Sequence, residues 1–208
     1  MPHSVDNVNL ITNLNINEYF NDAIHDAISH QRIYPKEETV VYIVNLLTYF
    51  TLSENIYEDS LEGRSSKPLA LMFQDATEAN STEERNTHLR KLGDTALVTS
   101  GFFAGSFEGG VVGIDYFISM GGGAYSSLAE NNSRAYKDKA LVAVFSDLAG
   151  HFLDYVDVLT EVRESNELTN DHDVLCLYES WVKTGSEYAR KRLQENGVLT
   201  FPSSNNKH

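Results

Sequence analysis

Two aspartates and a histidine occur at a spacing that would place them on one face of a helix. Asp147, His151 and Asp154 stand at positions i, i+4 and i+7, and side chains at that spacing lie one above another. Helical bundles bind metal ions with carboxylate and imidazole groups on such faces. The di-iron pattern needs Glu-x-x-His on two helices, however, and the sequence contains none. We therefore favour a solvated polar face over a metal site, and no cofactor is predicted.

Motifs for nucleophilic catalysis and nucleotide binding are missing from the sequence. It contains no Gly-x-Ser-x-Gly, no Gly-x-Gly-x-x-Gly and no P-loop motif. Thr184, Gly185 and Ser186 are better interpreted as a break and an N-cap between two helices. These observations leave open whether the protein is an enzyme.

A candidate pocket combines one acid with aromatic residues and glycines. Asp94 follows Gly93 within an apolar helical pattern, and a buried carboxyl group must be paired or protonated. Its expected partners are Arg90, the Tyr116 hydroxyl or backbone amides of residues 101–103, and its role can be structural or functional. The candidate pocket consists of Asp94, Phe102, Phe103, Tyr116, Gly121, Gly122, Gly123 and Tyr125.

Eight of the 13 glycines lie between residues 101 and 123. For residues 101–113 we favour a loop; a closely packed helix is the alternative, because glycine recurs there at every fourth position. The three glycines at 121–123 interrupt a helix whose apolar spacing continues through them. We therefore predict that they are a packing site for a neighbouring helix or a second subunit, and not a hinge.

The charge and composition exclude several classes of protein. The net charge is −14, and an acidic surface repels phosphate and anionic lipid, so neither nucleic acid nor a membrane is an expected partner. Membrane insertion of residues 95–129 would bury Glu108 and Asp115 at about 2.5–3.5 kcal/mol each. The N-terminus lacks the features of a secretory signal, which favours a cytoplasmic location.

Apolar periodicity predicts an all-α fold, a single-domain helical bundle of about seven or eight helices. Residues 1–16 are expected to form a loose arm, residues 17–198 one helical domain and residues 199–208 a flexible tail. Helices are predicted over 17–31, 37–52, 114–130 and 135–162, among others. The helix at 37–52 and Trp181 are placed in the core.

Three motifs resemble a family of uncharacterised bacterial all-α proteins. They are Leu-Gly-Asp-x-Ala-Leu followed by Gly-Phe-Phe, Tyr-Phe-x2-Met-Gly-x2-Ala-Tyr, and Leu-Tyr-Glu-x-Trp-x2-Thr-Gly-Ser, at residues 92–103, 116–125 and 177–186. The similarity covers residues 35–198. It implies an architecture and a bacterial source but no reaction.

The sequence therefore favours a helical protein that binds a protein partner or associates with itself, as in a homodimer. The alternative is a small-molecule- or metal-dependent enzyme with its pocket inside a helical bundle.

Overall fold

The computed structural model describes residues 5–52, 67–103, 113–135, 139–164 and 171–197. These residues form nine α-helices, and no strand occurs among them, which confirms the all-α prediction. The helices are α1 (Val5–Gln31), α2 (Glu37–Leu52), α3 (Leu69–Glu78), α4 (Thr82–Gly101), α5 (Ile114–Ala135), α6 (Lys139–Gly150), α7 (Phe152–Glu164), α8 (Asp171–Thr184) and α9 (Glu187–Glu195). The predicted tail at 199–208 lies outside the described residues.

Helix α1 begins at Val5, so the prediction of a loose arm is wrong for residues 5–16. Asparagine costs at most about 0.7 kcal/mol relative to alanine inside a helix, and no glycine or proline lies between Pro2 and Pro35. Asn17 is therefore not an N-cap. Its side chain donates to Asn45 Oδ1 at 3.3 Å and to Thr48 Oγ1 at 3.4 Å, which joins α1 to α2.

The helix predicted over 135–162 is two helices, because α6 ends at Gly150 and α7 begins at Phe152. Glycine disfavours the helix by about 0.8–1 kcal/mol relative to alanine, and the interruption falls directly after it, at His151. The Ser-x-x-Glu pattern at residues 81–84, which predicts a capping box at the start of a helix, is confirmed in part. Ser81 Oγ accepts a hydrogen bond from the amide of Glu84 at 3.1 Å at the start of α4, while the Glu84 carboxylate accepts from the amide of Asn80 rather than from that of Ser81.

Helix α5 packs against α4 on one side and α6 on another. It runs antiparallel to α4, since Gly93 and Ala96 of α4 lie against Tyr125 and Gly121 of α5 respectively. The main hydrophobic core is built from α1 to α7. A second, smaller cluster joins α8 and α9 through Leu177, Ala189 and Leu193.

Parts of the predicted core are more exposed than expected. Trp181 is half-buried against the α8–α9 cluster rather than in the main core. Helix α2 buries one face only, because Val41 and Tyr49 are exposed, and Phe73 of α3 is also exposed. A uniformly apolar helix does not reveal which of its faces the other helices will cover.

Among the described residues, no helix combines the length and apolarity that crossing a membrane would need.

Candidate functional site

A groove of about 720 Å³ lies between the C-terminal end of α1, helix α7 and helix α9. Sites for small organic ligands are typically 300–1,000 Å³, so the groove has a suitable size. Its lining combines apolar surface with charged side chains. Four carboxylates of α7 line it, namely Asp154, Asp157, Glu161 and Glu164.

The turn before α9 shapes one end of this groove. Gly185 adopts a φ of +72°, a conformation in which side chains are disfavoured, and it lines the groove. Ser186 then caps α9, because its Oγ accepts a hydrogen bond from the amide of Ala189 at 3.0 Å. The predicted break at residues 184–186 is thus confirmed, and it brings the Ser186 hydroxyl to α7.

Asp157 is a buried acid of the groove with one hydroxyl close to both of its carboxylate oxygens. Its residue is 7% exposed, and the Ser186 Oγ lies 2.7 Å from both Oδ1 and Oδ2. A hydroxyl has one hydrogen, so Ser186 can donate to only one of these two oxygens. Burial, opposed by the Ser186 hydrogen bond and reinforced by the charge of Asp154, raises the pKa of Asp157 to about 7.

Asp154 is the second carboxylate of the groove with oxygens that can still accept hydrogen bonds. It lies one helical turn before Asp157, where side chains three residues apart are neighbours, and it lines the groove. Within the described part of the chain, no hydrogen bond or ion pair satisfies it. Asp154 and Asp157 therefore form an acidic pair with unused acceptor capacity.

The other two carboxylates of α7 are already bound. Glu161 contacts His30 Nδ1 at 2.9 Å and accepts from Gln31 Nε2 at 2.7 Å, which attaches α1 to α7. Glu164 Oε2 accepts from the Tyr188 hydroxyl at 2.8 Å and from Arg192 Nε at 3.1 Å, which attaches α9. These contacts build the walls of the groove. The second oxygen of Glu164, Oε1, is buried without a hydrogen bond and lies 3.6 Å from Arg163 Nη2.

The predicted pocket residue Asp94 is the centre of a second, more closed cluster. Its Oδ1 accepts hydrogen bonds from the hydroxyls of Tyr42 at 2.6 Å and Tyr125 at 2.7 Å. Arg90 Nε lies 3.7 Å from Oδ2 and donates to the Tyr42 hydroxyl at 3.1 Å. Burial raises the pKa of Asp94, although both hydrogen bonds and the charge of Arg90 oppose it.

Of the partners predicted for Asp94, Arg90 is confirmed, but the tyrosines that bind its carboxylate are Tyr42 and Tyr125 rather than Tyr116. Tyr116 precedes Tyr125 by nine residues, or about 13 Å along α5, and its ring lies beside Phe117. Phe102 is likewise in the core, where it packs edge-on against Phe20.

The remaining predicted pocket residues differ in exposure. Gly121 is buried, Gly122 is half-buried and Gly123 is exposed, while Phe103 packs edge-on against Phe102. A Cβ at Gly121 would overlap the ring of Phe152 and lie 2.8 Å from the Cβ of Ala96 on α4. The prediction that the glycines admit a neighbouring helix is confirmed at Gly121. The loop predicted at 101–113 lies mostly outside the described residues, although Gly101 itself ends α4 against Leu159.

The prediction of a solvated polar face is wrong at Asp147, whose side chain is buried and connects α6 to α2 and α7. Asp147 Oδ2 accepts from Thr39 Oγ1 at 2.8 Å and from the Tyr155 hydroxyl at 2.7 Å, and Oδ1 lies 3.1 Å from His151 Nδ1. Burial would raise the pKa of Asp147, but hydrogen bonds from Tyr155, Thr39, the Lys36 amide and His151 lower it overall. Asp154 lies in the groove, which neither Asp147 nor His151 lines.

In the part of the chain that the structure describes, no three histidine, cysteine or carboxylate side chains are grouped as a metal site requires. Sequence reasoning gave Asp157 no role and did not identify the groove. The available signal was the row of acids at 154, 157, 161 and 164, which share one face of a helix.

No protein-family model, curated protein or solved structure matches this chain.

Proposed function

We propose that this protein is a binding protein that holds the ammonium group of a small organic ligand between Asp154 and Asp157. The observation that carries the proposal is the hydrogen-bond deficit of Asp157, which has one protein hydrogen for two buried oxygens. A primary ammonium group has three hydrogens and no acceptor. It could donate to the second oxygen of Asp157 and to Asp154 together.

The surrounding charges support a cation rather than an anion. Arg192 is paired with Glu164 and Glu195, and Arg190 with Glu187. These arginines are therefore less available to an anionic ligand than Asp154 is to a cation. A divalent metal ion fits less well, since magnesium and calcium need six or more oxygen ligands, and Glu161 and one oxygen of Glu164 already accept hydrogen bonds from the protein.

Isothermal titration calorimetry at pH 8 with 1,4-diaminobutane tests the proposal. We expect binding that Asp154→Asn weakens at least tenfold, because a charged hydrogen bond is worth about 1.5–3 kcal/mol. Asp26→Asn, an exposed acid of α1 outside the groove, is the matched control and should bind like the native protein. 1-Butanol, which has no charge, and tetramethylammonium, which has no N–H donor, separate the roles of charge and of N–H donation. Neither should bind.

Equal binding to native protein and to Asp154→Asn would overturn the proposal. So would the absence of amine binding, or binding of Mg²⁺ with no binding of the diamine.

Self-association through α8 is a second candidate function. Tyr178 and Val182 are 44% and 59% exposed, and the half-buried Trp181 lies on the same face, with its ring centroid 5.9 Å from that of Tyr178. Tyrosine and tryptophan are enriched at the energetic centres of protein interfaces. We propose that a second copy of the chain covers this face, consistent with the predicted homodimer.

Light scattering over a hundredfold range of concentration tests self-association. Val182→Lys should shift the protein toward monomer, whereas Phe73→Lys, a comparably exposed apolar position on α3, should not. A monomer at every concentration, or a dimer unaffected by Val182→Lys, would exclude this interface.

A further inference from the structure

We infer that the ligand's ammonium group and a proton compete for Asp157, so that an amine that binds the protonated form displaces one proton into solution. The inference rests on the proposed function and concerns its regulation by pH. It follows from the geometry of the Asp157–Ser186 pair, which can satisfy a protonated carboxyl group completely and an ionised one only in part.

The protonated pair is fully hydrogen-bonded. A carboxylic acid can donate from one oxygen to Ser186 Oγ while its other oxygen accepts the Ser186 hydrogen, and both separations are 2.7 Å. Ser186 Oγ then accepts from Asp157 and from the Ala189 amide, which uses both of its acceptor positions. No hydrogen-bonding capacity of the hydroxyl remains unused.

The ionised pair lacks one donor. When Asp157 loses its proton, Ser186 supplies a hydrogen to one oxygen, and the other oxygen stays buried without a partner. An unpaired buried acceptor costs about 1–3 kcal/mol, and more when it is charged. A ligand ammonium can supply the missing hydrogen, so the ligand stabilises the form that has lost its proton.

The other charged groups of the groove do not remove this competition. Asp154 opposes ionisation of Asp157, while the arginines are paired with acids as described above. The titratable groups that line the groove around Asp157 are Asp154, Glu161 and Glu164 on α7, His30 on α1, and Glu187, Tyr188, Arg190, Lys191, Arg192 and Glu195 on α9. Among these His30 carries the imidazole, so it has its own control variant.

Calorimetry of 1,4-diaminobutane binding in two buffers that contain no primary amine, phosphate and HEPES, counts the protons released, because the ionisation enthalpies of these buffers differ. We expect release of close to one proton at pH 6 and close to none at pH 8.5. Affinity should rise by up to tenfold for each pH unit at the acidic end and become constant at the alkaline end. His30→Gln should retain this proton release, because its imidazole contacts Glu161 and not Asp157.

A carboxyl-carbon NMR titration of Asp157, with and without saturating diamine, is the second measurement. The diamine should move the titration of this one carboxyl group to lower pH. If the diamine binds with constant affinity from pH 6 to 8.5 and releases no proton, the inference fails and the proposed function stands. If the diamine does not bind at any pH, both fail.

Discussion

Gly93 and Tyr125 are in direct contact across the α4–α5 interface: a Cβ at Gly93 would lie 2.7 Å from Cε1 of the tyrosine ring. The absence of a side chain at Gly93 lets the ring lie against the backbone of α4. The Tyr125 hydroxyl thereby reaches Asp94, the next residue of α4, at 2.7 Å. A single glycine therefore positions the tyrosine that satisfies a buried acid.

Replacing Gly93 by alanine should lower the free energy of unfolding. Tyr125 is fully buried and stacks on Phe145, so its ring cannot move away from a new methyl group without disturbing the core. Overpacking costs about 1–3 kcal/mol, which exceeds the gain of about 0.8–1 kcal/mol in helix propensity. Urea unfolding measures the difference.

The control for this substitution is Gly123→Ala, where a Cβ would meet no atom within 4 Å. It should raise stability by up to about 1 kcal/mol. Stabilisation by Gly93→Ala to the same extent would show that the contact with Tyr125 is not restrictive.

Gly121→Ala and Gly122→Ala should have opposite effects on stability. At Gly121 the new Cβ would overlap the ring of Phe152, whereas at Gly122 its nearest approach to that residue is an ordinary 3.8 Å. We expect a loss of about 1–3 kcal/mol for the first and a gain of up to about 1 kcal/mol for the second. Chemical unfolding of both variants checks this prediction.

Combining Gly121→Ala with Phe152→Leu tests the cause. The double variant should lose less than the sum of the two single losses, because the smaller side chain makes room for the methyl group. Strict additivity would argue that Phe152 is not the residue that Gly121 accommodates.

Asp147→Asn should destabilise the protein at neutral pH and make it less sensitive to acid. The folded-state pKa of Asp147 lies below its ordinary value of about 3.9, so its ionised form contributes stability that is present above that value and lost as the pH falls further. Losing charged hydrogen bonds from Thr39 and Tyr155 should cost about 1.5–3 kcal/mol. Unfolding measured from pH 2 to 7 gives both effects, and Asp26→Asn should show neither of them.

Asp157→Asn should become more stable relative to the native protein as the pH rises from 4 to 7. The folded-state pKa is raised to about 7, so in this window the folded native protein holds a proton that the unfolded chain releases. Native stability therefore falls with pH by up to about 1.4 kcal/mol per pH unit, while asparagine does not titrate. Thermal unfolding in matched buffers follows the difference, and a difference that stays constant from pH 4 to 7 would contradict the raised pKa.

Much of the local structure could be predicted from the sequence. The Ser81 cap, the break before Ser186 and the helix that continues through Gly121 each depend on groups within a few residues of one another. Apolar spacing and capping act over that distance, and the all-α fold follows from them. The same signals did not predict the start of α1 at Val5 or the interruption at His151, because asparagine and a single glycine change helix stability by less than tertiary packing does.

The candidate site depended on contacts that only the tertiary structure decides. Asp94 was identified as a buried acid in need of partners, but its partner Tyr42 lies 52 residues away in sequence, and the register between α2, α4 and α5 selects Tyr42 and Tyr125 over Tyr116.

Ser186 lies 29 residues from Asp157. Helical periodicity places the acids of α7 on one face, but it carries no information on which helix that face meets. The packing of α1 and α9 against α7 decides that Glu161 and one oxygen of Glu164 accept hydrogen bonds from these helices, while Asp157 receives a single hydroxyl from Ser186.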